Sequence, residues 1–440
     1  MQTLEQNNAL NQGNSFLQDC YCMRSTEISA AHRIISTLLA EYHGPIAIQL
    51  WDGSLFRNSE ETQCVLHIHH PHVLRDLILH RDLVRLAESY IAGQIEVSGN
   101  FESLFLLEEH LKTFHPSLQQ CIRLFFDALK LPSLKTQDYH KPLKAGNRKQ
   151  SNSRNTIAHH YDVGNDFYRL WLDKNMVYSC AYFRTNKQSL DEAQADKLDY
   201  LCRKLRLKPG QKLLDIGCGW GALAIWAATH YGVTAHGITL SKEQQAFAME
   251  QVKKNGLDER VTIELRDYRN LPEKIKYDRI VSVGMFEHIG VKNFPQYFGK
   301  VKTLLKPGGL FLNHGITSKD GWRDTPMTRF MNQYIFPDGE LARISEVNNA
   351  MENAGFEIVD VESLRRHYAL TLRCWVKALE SNKQEATDFT NIETYRLWRL
   401  YMAACAYYFD EGSINVYQVL AGHQHNTLPA PLRREDLYIQ

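Results

Sequence analysis

Residues 213–221 read Leu-Leu-Asp-Ile-Gly-Cys-Gly-Trp-Gly, and the run Ala222–Tyr231 that follows is helical in character. An apolar strand that turns sharply through glycines into a helix brings backbone N–H groups against a ligand at the helix N-terminus. Glycine suits the turn because it takes positive φ cheaply and leaves no Cβ in the ligand's way. The spacing here is G-x-G-x-G, with glycines at 217, 219 and 221, so it is not the dinucleotide fingerprint G-x-G-x-x-G. Asp215 stands on the strand two residues before the first glycine.

Around this turn the chain alternates. Residues 212–216, 234–238, 261–265, 279–283 and 310–313 are strand-like, and 222–231, 242–255 and 294–305 are helical. Strands separated by helices of this length predict an α/β fold with a parallel sheet covered on both faces. Gly308-Gly309 is expected as a tight turn into the last of these strands. Ligands of such sheets lie beyond the carboxyl ends of the strands, so the residues just after each strand matter most.

After the second strand come Thr239, Leu240, Ser241 and Gln244 in place of the acid that often holds a ribose. Thr239 and Gln244 are candidates for those hydroxyls, and Ser241 with Gln244 also predicts a capping box. Asp267, Tyr268 and Arg269 follow the third strand, where an acid and an aromatic ring suit an adenine. The fourth strand leads into Phe286-Glu287-His288 and the fifth into His314, which sets a carboxylate and imidazoles at one sheet edge. Upstream, residues 176–183 form an uncharged aromatic run with one thiol, Cys180.

At 440 residues the chain is too long for one core, so two domains are expected. The boundaries predicted are a tail over 1–25, an amino-terminal α+β and helical domain over 26–138, a basic linker over 139–154, and a catalytic domain over 155–440. Helical periodicity dominates from Val73 to about Leu131. The formal net charge is +1, so no global field points to nucleic acid, and the basic residues of 141–154 are the only cluster able to meet phosphates. Nine scattered cysteines suit a reducing compartment. No apolar run approaches the length of a bilayer span and no secretory signal opens the chain, so a cytoplasmic protein is expected. His67, His69, His70 and His72 crowd near Cys64, but strand alternation divides them between faces and no metal site is predicted.

Several stretches together resemble the cyclopropane-fatty-acyl-phospholipid synthase family and its mycolic-acid relatives. They are HHYDVGNDFYRLWLD (159–173), MVYSCAYF (176–183), LLDIGCGWG (213–221), GITLSKEQ (237–244), DRIVSVGMFEHIG (278–290), HGI (314–316), RFMNQYIFPDG (329–339), HYALTLRCW (367–375) and LYMAACAYYF (400–409). Residues 68–99 resemble that family's lipid-binding module. The resemblance implies a class I, Rossmann-like methyltransferase sheet and transfer of a methylene from S-adenosylmethionine to a cis double bond of a phospholipid acyl chain. It implies a bicarbonate ion as the base, held by Glu287, His314, Tyr368 and the backbones of Cys180 and Ile316. Contacts to the methyl donor carry over to Tyr178, Ser179, Asp215, Gly217, Gly219, Gly221, Thr239, Leu240, Gln244, Tyr268 and Arg269. Cys405 matches a cysteine suspected as catalytic in the family. Tyr182, Phe183, Phe286 and Tyr368 are the aromatic faces available to a cation. Leu370 departs from the family's usual arginine, and His70 from its aspartate. The implied partners are unsaturated phospholipids at a membrane surface and a second copy of the chain in a homodimer, with no nucleic acid. The rival activity is C-methylation that leaves a methyl or methylene branch, and the non-enzymatic rival is a lipid-binding pseudoenzyme.

Overall fold

A computed structural model describes residues 25–133, 163–337 and 339–438. The expected tail, except Ser25, and the basic linker lie outside the described residues. The chain divides into two units, one of residues 1–85 with 94–139 and one of 86–93 with 140–440.

In the first unit the helix Ser25–Leu38 buries Ala30, Ala31, Ile34, Ile35 and Leu38 on one face. Strands β1 (Ile46–Gln49), β2 (Leu55–Phe56), β3 (Cys64–Ile68) and β4 (Ile95–Gly99) form a sheet in the order β2-β1-β3-β4. β4 falls within the stretch from Val73 to about Leu131 in which helical periodicity was expected to dominate. Its register against β3 pairs Leu66 with Val97, and both side chains are buried. Ile95 and Val97 alternate inward with polar neighbours, which is the strand period and not the helical one. On β3 the same alternation buries Cys64, Leu66 and Ile68 and leaves His67 on the other face, bonded to Gln49 and Ser98. His72 bonds to Gln94.

The second unit carries β5 (Lys212–Ile216), β6 (Thr234–Thr239), β7 (Val261–Leu265), β8 (Tyr277–Val283), β9 (Leu305–Ser318), β10 (Phe356–Ser363) and β11 (Ile414–His423). Their order is β10-β11-β9-β8-β5-β6-β7. β5 pairs in parallel with β6 and β8, and β9 continues the parallel set beside β8. β11 lies antiparallel between β9 and β10, so the sheet is mixed where a parallel one was expected. The same pairing explains why β9 is fourteen residues long. β11 holds it from Leu310 to Ser318, so His314 and Ile316 lie inside a strand and not after one, and Gly308-Gly309 falls within the strand's span.

Apolar helices cover both faces. Leu198, Leu201 and Leu223 pack under Leu213, Val281 and Leu312, while Phe294, Phe298 and Val301 pack against Leu214, Ile280 and Phe311. Chain order reverses between β5 and β8, because β6 and β7 build outward on one side and β8 and β9 on the other. The crevice at that switch point is where a ligand is expected.

Candidate active site

β5 delivers Asp215, 2% exposed, to the crevice. The chain then turns through Gly217, Gly219 and Gly221 at φ of 82°, 55° and 86°. The three glycines do different work. A Cβ on Gly221 would sit 2.9 Å from that of Ala248, so this residue serves the contact between two helices. A Cβ on Gly217 would press Met285 at 3.1 Å, whereas nothing lies within 4 Å of the place where Gly219 would carry one. Gly217 and Gly219 border a cavity of about 540 Å³; Gly221 does not. Tyr178, Ser179, Lys197, Asp215, Thr239, Leu240, Gln244, Tyr268 and Arg269 share its wall.

At the end of β6 the Thr239 hydroxyl donates to Gln244 Oε1 at 2.8 Å. Ser241 caps the helix Lys242–Lys254 by accepting from the Gln244 amide at 3.3 Å. The expected capping box is therefore only half formed, because the Gln244 side chain turns to Thr239. Beyond β7, Asp267 grips Arg269 through two bonds of 2.9 and 2.5 Å. Tyr268 meets Tyr297 edge-on at 5.2 Å.

The second constellation lies at the ends of β8 and along β9. Phe286–His288 form a 3-10 turn in which Met285 and His288 face the cavity and Glu287 turns to β9. Glu287 Oε1 accepts the Ile316 amide at 2.6 Å, and its Oε2, though buried, has no partner among the described residues. The Ile316 N–H that the resemblance assigns to bicarbonate is thus bonded to Glu287. Burial raises the carboxyl to about 7 against the opposing pull of that amide. Gln418, paired with His314 in the β9–β11 register, sets its amide nitrogen 3.2 Å from His314 Nδ1. That bond makes Nδ1 the acceptor and leaves the proton on Nε2, which is buried without a partner among the described residues. Burial, with Lys197 and Lys204 nearby, pulls this imidazole down to about 3, so it is neutral. Tyr368 is pushed well above the usual tyrosine range by burial, and Tyr178, Cys180, Cys405 and Glu287 are close enough to act on it. Cys180 is fully buried, its thiol raised and directed at the Ala181 carbonyl at 3.3 Å. Burial holds Cys405 up to about 12, so it stays a thiol and not a nucleophilic thiolate.

The raised Glu287 has a consequence for stability. A carboxyl whose folded pKa exceeds its unfolded value leaves the native state holding the extra proton, so stability falls as pH rises from about 4.5 to about 7. Glu287→Gln should therefore unfold at a higher temperature than wild type at pH above about 7, with a gain on the order of 3 kcal/mol that fades toward about pH 4.5. Paired thermal melts across that range check it. A gain that does not depend on pH would contradict the assignment.

The aromatic faces are distributed otherwise than expected. Tyr182 stacks between Tyr200 and His367 at 4.4 and 4.8 Å. Phe183 packs with Ala181, Ala193 and Leu370, and Phe286 against Phe294. Tyr178 does reach the cavity, with Trp375 at 5.3 Å, Trp171 at 5.5 Å and a hydroxyl bond of 3.2 Å to Tyr401. Trp375, Trp398, Tyr401 and Gln418 escaped the sequence reading. Helical spacing could have shown three of them, since Tyr368 and Trp375 lie seven residues apart, as do Trp398 and Cys405, with Tyr401 between.

The sequence model of the family described as mycolic acid cyclopropane synthetase matches residues 148–419. The chain belongs to that family. Among cyclopropane synthetase relatives, a Pseudomonas putida protein named probable fatty acid methyltransferase is 40% identical over 91% of this chain and 98% of its own length. The cyclopropane-fatty-acyl-phospholipid synthase of Escherichia coli K12 is 42% identical over 59% of this chain and 66% of its own. Two solved cyclopropane synthases share the fold, MmaA2 from Mycobacterium tuberculosis and the mycolic acid cyclopropane synthase CmaA1. MmaA2 has a TM-score of 0.59 and 34% identity, covering 62% of this chain and 99% of its own. CmaA1, solved with S-adenosylhomocysteine, has 0.58 and 35%, covering 62% and 98%. The chain is therefore an enzyme with the class I S-adenosylmethionine-dependent methyltransferase fold.

Proposed function

We propose that the enzyme adds a methylene from S-adenosylmethionine across a cis double bond of a phospholipid acyl chain. The observation that carries this reading is the pair of buried polar atoms without partners among the described residues, Glu287 Oε2 and His314 Nε2, with the cavity-lining Met285 and His288 on either side of Glu287. The donor fits the cavity: Gly219 leaves a cradle that a Cβ would fill, Thr239 and Gln244 suit hydroxyls, and Asp215 and Lys197 supply one charge of each sign. When bound, it supplies an electrophilic methyl on a sulfonium.

An isolated alkene is a weak nucleophile, and its attack on that methyl releases the thioether and leaves a carbocation on the acyl chain. Water would trap the cation, so Tyr178 on the cavity wall, backed by the rings of Trp375 and Tyr401, matters for keeping the site dry. Their faces stabilise positive charge without bonding to it. Loss of one proton from the added methyl then closes the ring, for a net gain of CH₂. Glu287 Oε2, His314 Nε2–H and the Tyr368 hydroxyl offer one acceptor and two donors, which fits a bicarbonate ion acting as the base. Glu287 would accept its hydrogen and strengthen it as a base.

Access to lipid is supported by the first unit. Its helix Leu118–Lys130 buries Leu124, Asp127 and Ala128 and turns Leu118, Ile122, Phe125, Phe126 and Leu129 outward, a continuous exposed stripe beside Arg123 and Lys130. An amphipathic face with phenylalanines and flanking cations suits the interface of an anionic bilayer. Among the described residues no helix is long and apolar enough to cross a membrane. Replacing Phe125 and Phe126 together by glutamate should reduce sedimentation with phosphatidylglycerol vesicles at least about tenfold, since each ring buries about 1.5–3 kcal/mol of apolar surface. Unchanged sedimentation would remove this helix from the lipid contact.

A second product stays open because full-length relatives in Pseudomonas putida and Mycobacterium tuberculosis are named probable fatty acid methyltransferases. Incubation of the enzyme with unsaturated phospholipid vesicles and isotope-labelled donor, followed by acyl-chain analysis, separates the two. A ring product supports the synthase reading, and a methyl-branched product replaces it. Label that never enters lipid overturns both.

A further inference from the structure

Lys197 is a buried cation on the donor cavity that takes no part in the lipid chemistry. The helix that carries it, Leu190–Lys204, starts at a capping box in which Ser189 and Glu192 satisfy each other's backbone amides. One turn in, Gln194 donates to the Val177 and Ser179 carbonyls, which fixes the loop that faces the cavity. Lys197, 2% exposed, then donates to Ser179 Oγ at 2.9 Å. An ammonium has three N–H donors. That hydrogen bond is the one it makes among the described residues, and none of their carboxylates pairs with it within 4.0 Å. Asp173 and Asp215 act on it from farther away, and Asp173 is already held by the Val177 and Asn175 amides. A buried ammonium short of partners costs several kcal/mol unless an anion joins it.

We propose that Lys197, seconded by Ser179, is the binding residue for the α-carboxylate of the methyl donor's methionine portion. The other cations of the cavity wall are otherwise committed: Arg266 pairs with Glu264, Arg269 with Asp267, and Lys292 is exposed. The order of the strands agrees. Tyr268 and Arg269 follow β7, Thr239 ends β6 and the glycine turn follows β5. A donor laid with its adenine by β7 and its ribose by β6 brings its amino-acid end to β5, where Lys197 and Asp215 share the wall. One cation and one anion there complement a zwitterion.

This inference rests on the donor assignment and not on the lipid chemistry, so it is tested by binding alone. Calorimetric titration of the full chain compares S-adenosylhomocysteine with its decarboxylated analogue, in wild type and in Lys197→Met. A charge-assisted contact predicts that wild type prefers the carboxylated ligand by about ten- to a hundredfold. Lys197→Met should lose that preference while binding the analogue within about threefold of wild type. Equal losses for both ligands, or no loss, overturn the proposal. Should the variant fail to fold, wild type still decides. Burial lowers the Lys197 ammonium to about 8, opposed by Asp173, Cys180 and Asp215. The preference must therefore shrink from about pH 7 to about pH 10 as the amine loses its proton, and a preference that ignores pH overturns the proposal equally.

Discussion

Glu287→Gln is expected to cut product formation by at least about a thousandfold while S-adenosylhomocysteine binds within about threefold of wild type. The substitution keeps Oε1, so the Ile316 amide retains its acceptor and the turn Phe286–His288 keeps its anchor to β9. What disappears is the unspent acceptor Oε2, replaced by an amide that donates. A bicarbonate can no longer give its hydrogen to this position, so the last proton has no adequate base. Acyl-chain product assays and calorimetry on the same preparation check both halves. Turnover near the wild-type rate would show that this carboxylate plays no part in deprotonation. Loss of ligand binding would show that the substitution damaged the donor cavity instead.

Gly315→Ala should be nearly as severe, for a steric reason. A Cβ at Gly315 would lie 1.9 Å from Phe286 Cε1 and 3.0 Å from Glu287 Oε1. Phe286 cannot yield freely, because it is 2% exposed and packed against Phe294. Overfilling a core of this kind costs about 1–3 kcal/mol. The larger effect falls on catalysis, since pushing Phe286 and Glu287 off β9 by about 1 Å would lower turnover about a hundredfold. Thermal melts and product assays read the two effects separately. A stable variant with full activity would mean that the contact between Phe286 and Gly315 does not position Glu287.

The glycine turn, the alternation of strand and helix around it and the residues after the first four parallel strands were legible in the primary structure because their causes are local. Positive φ at Gly217 and Gly219, the apolar run of β5 and the serine cap before Lys242 each depend on a few neighbours in sequence. The missed pieces depend on distant ones. β11 lies about a hundred residues after β9 in the chain, yet it sets the length of that strand and brings Gln418 to His314. Tyr182 was expected to offer a face to a cation and Tyr178 only to touch the donor, but Tyr200 and His367 sandwich Tyr182 while Tyr178 reaches the cavity.

By itself the sequence determined the class I sheet, the family and the short roster of chemically competent side chains, since backbone preference, periodicity and residue type are written position by position. Only the tertiary structure decided their states. Burial made Glu287 a weak acid and His314 a neutral donor, and it left Lys197 short of an anion. Desolvation and pairing belong to what surrounds a group in space, and those surroundings here come from segments far apart in the chain.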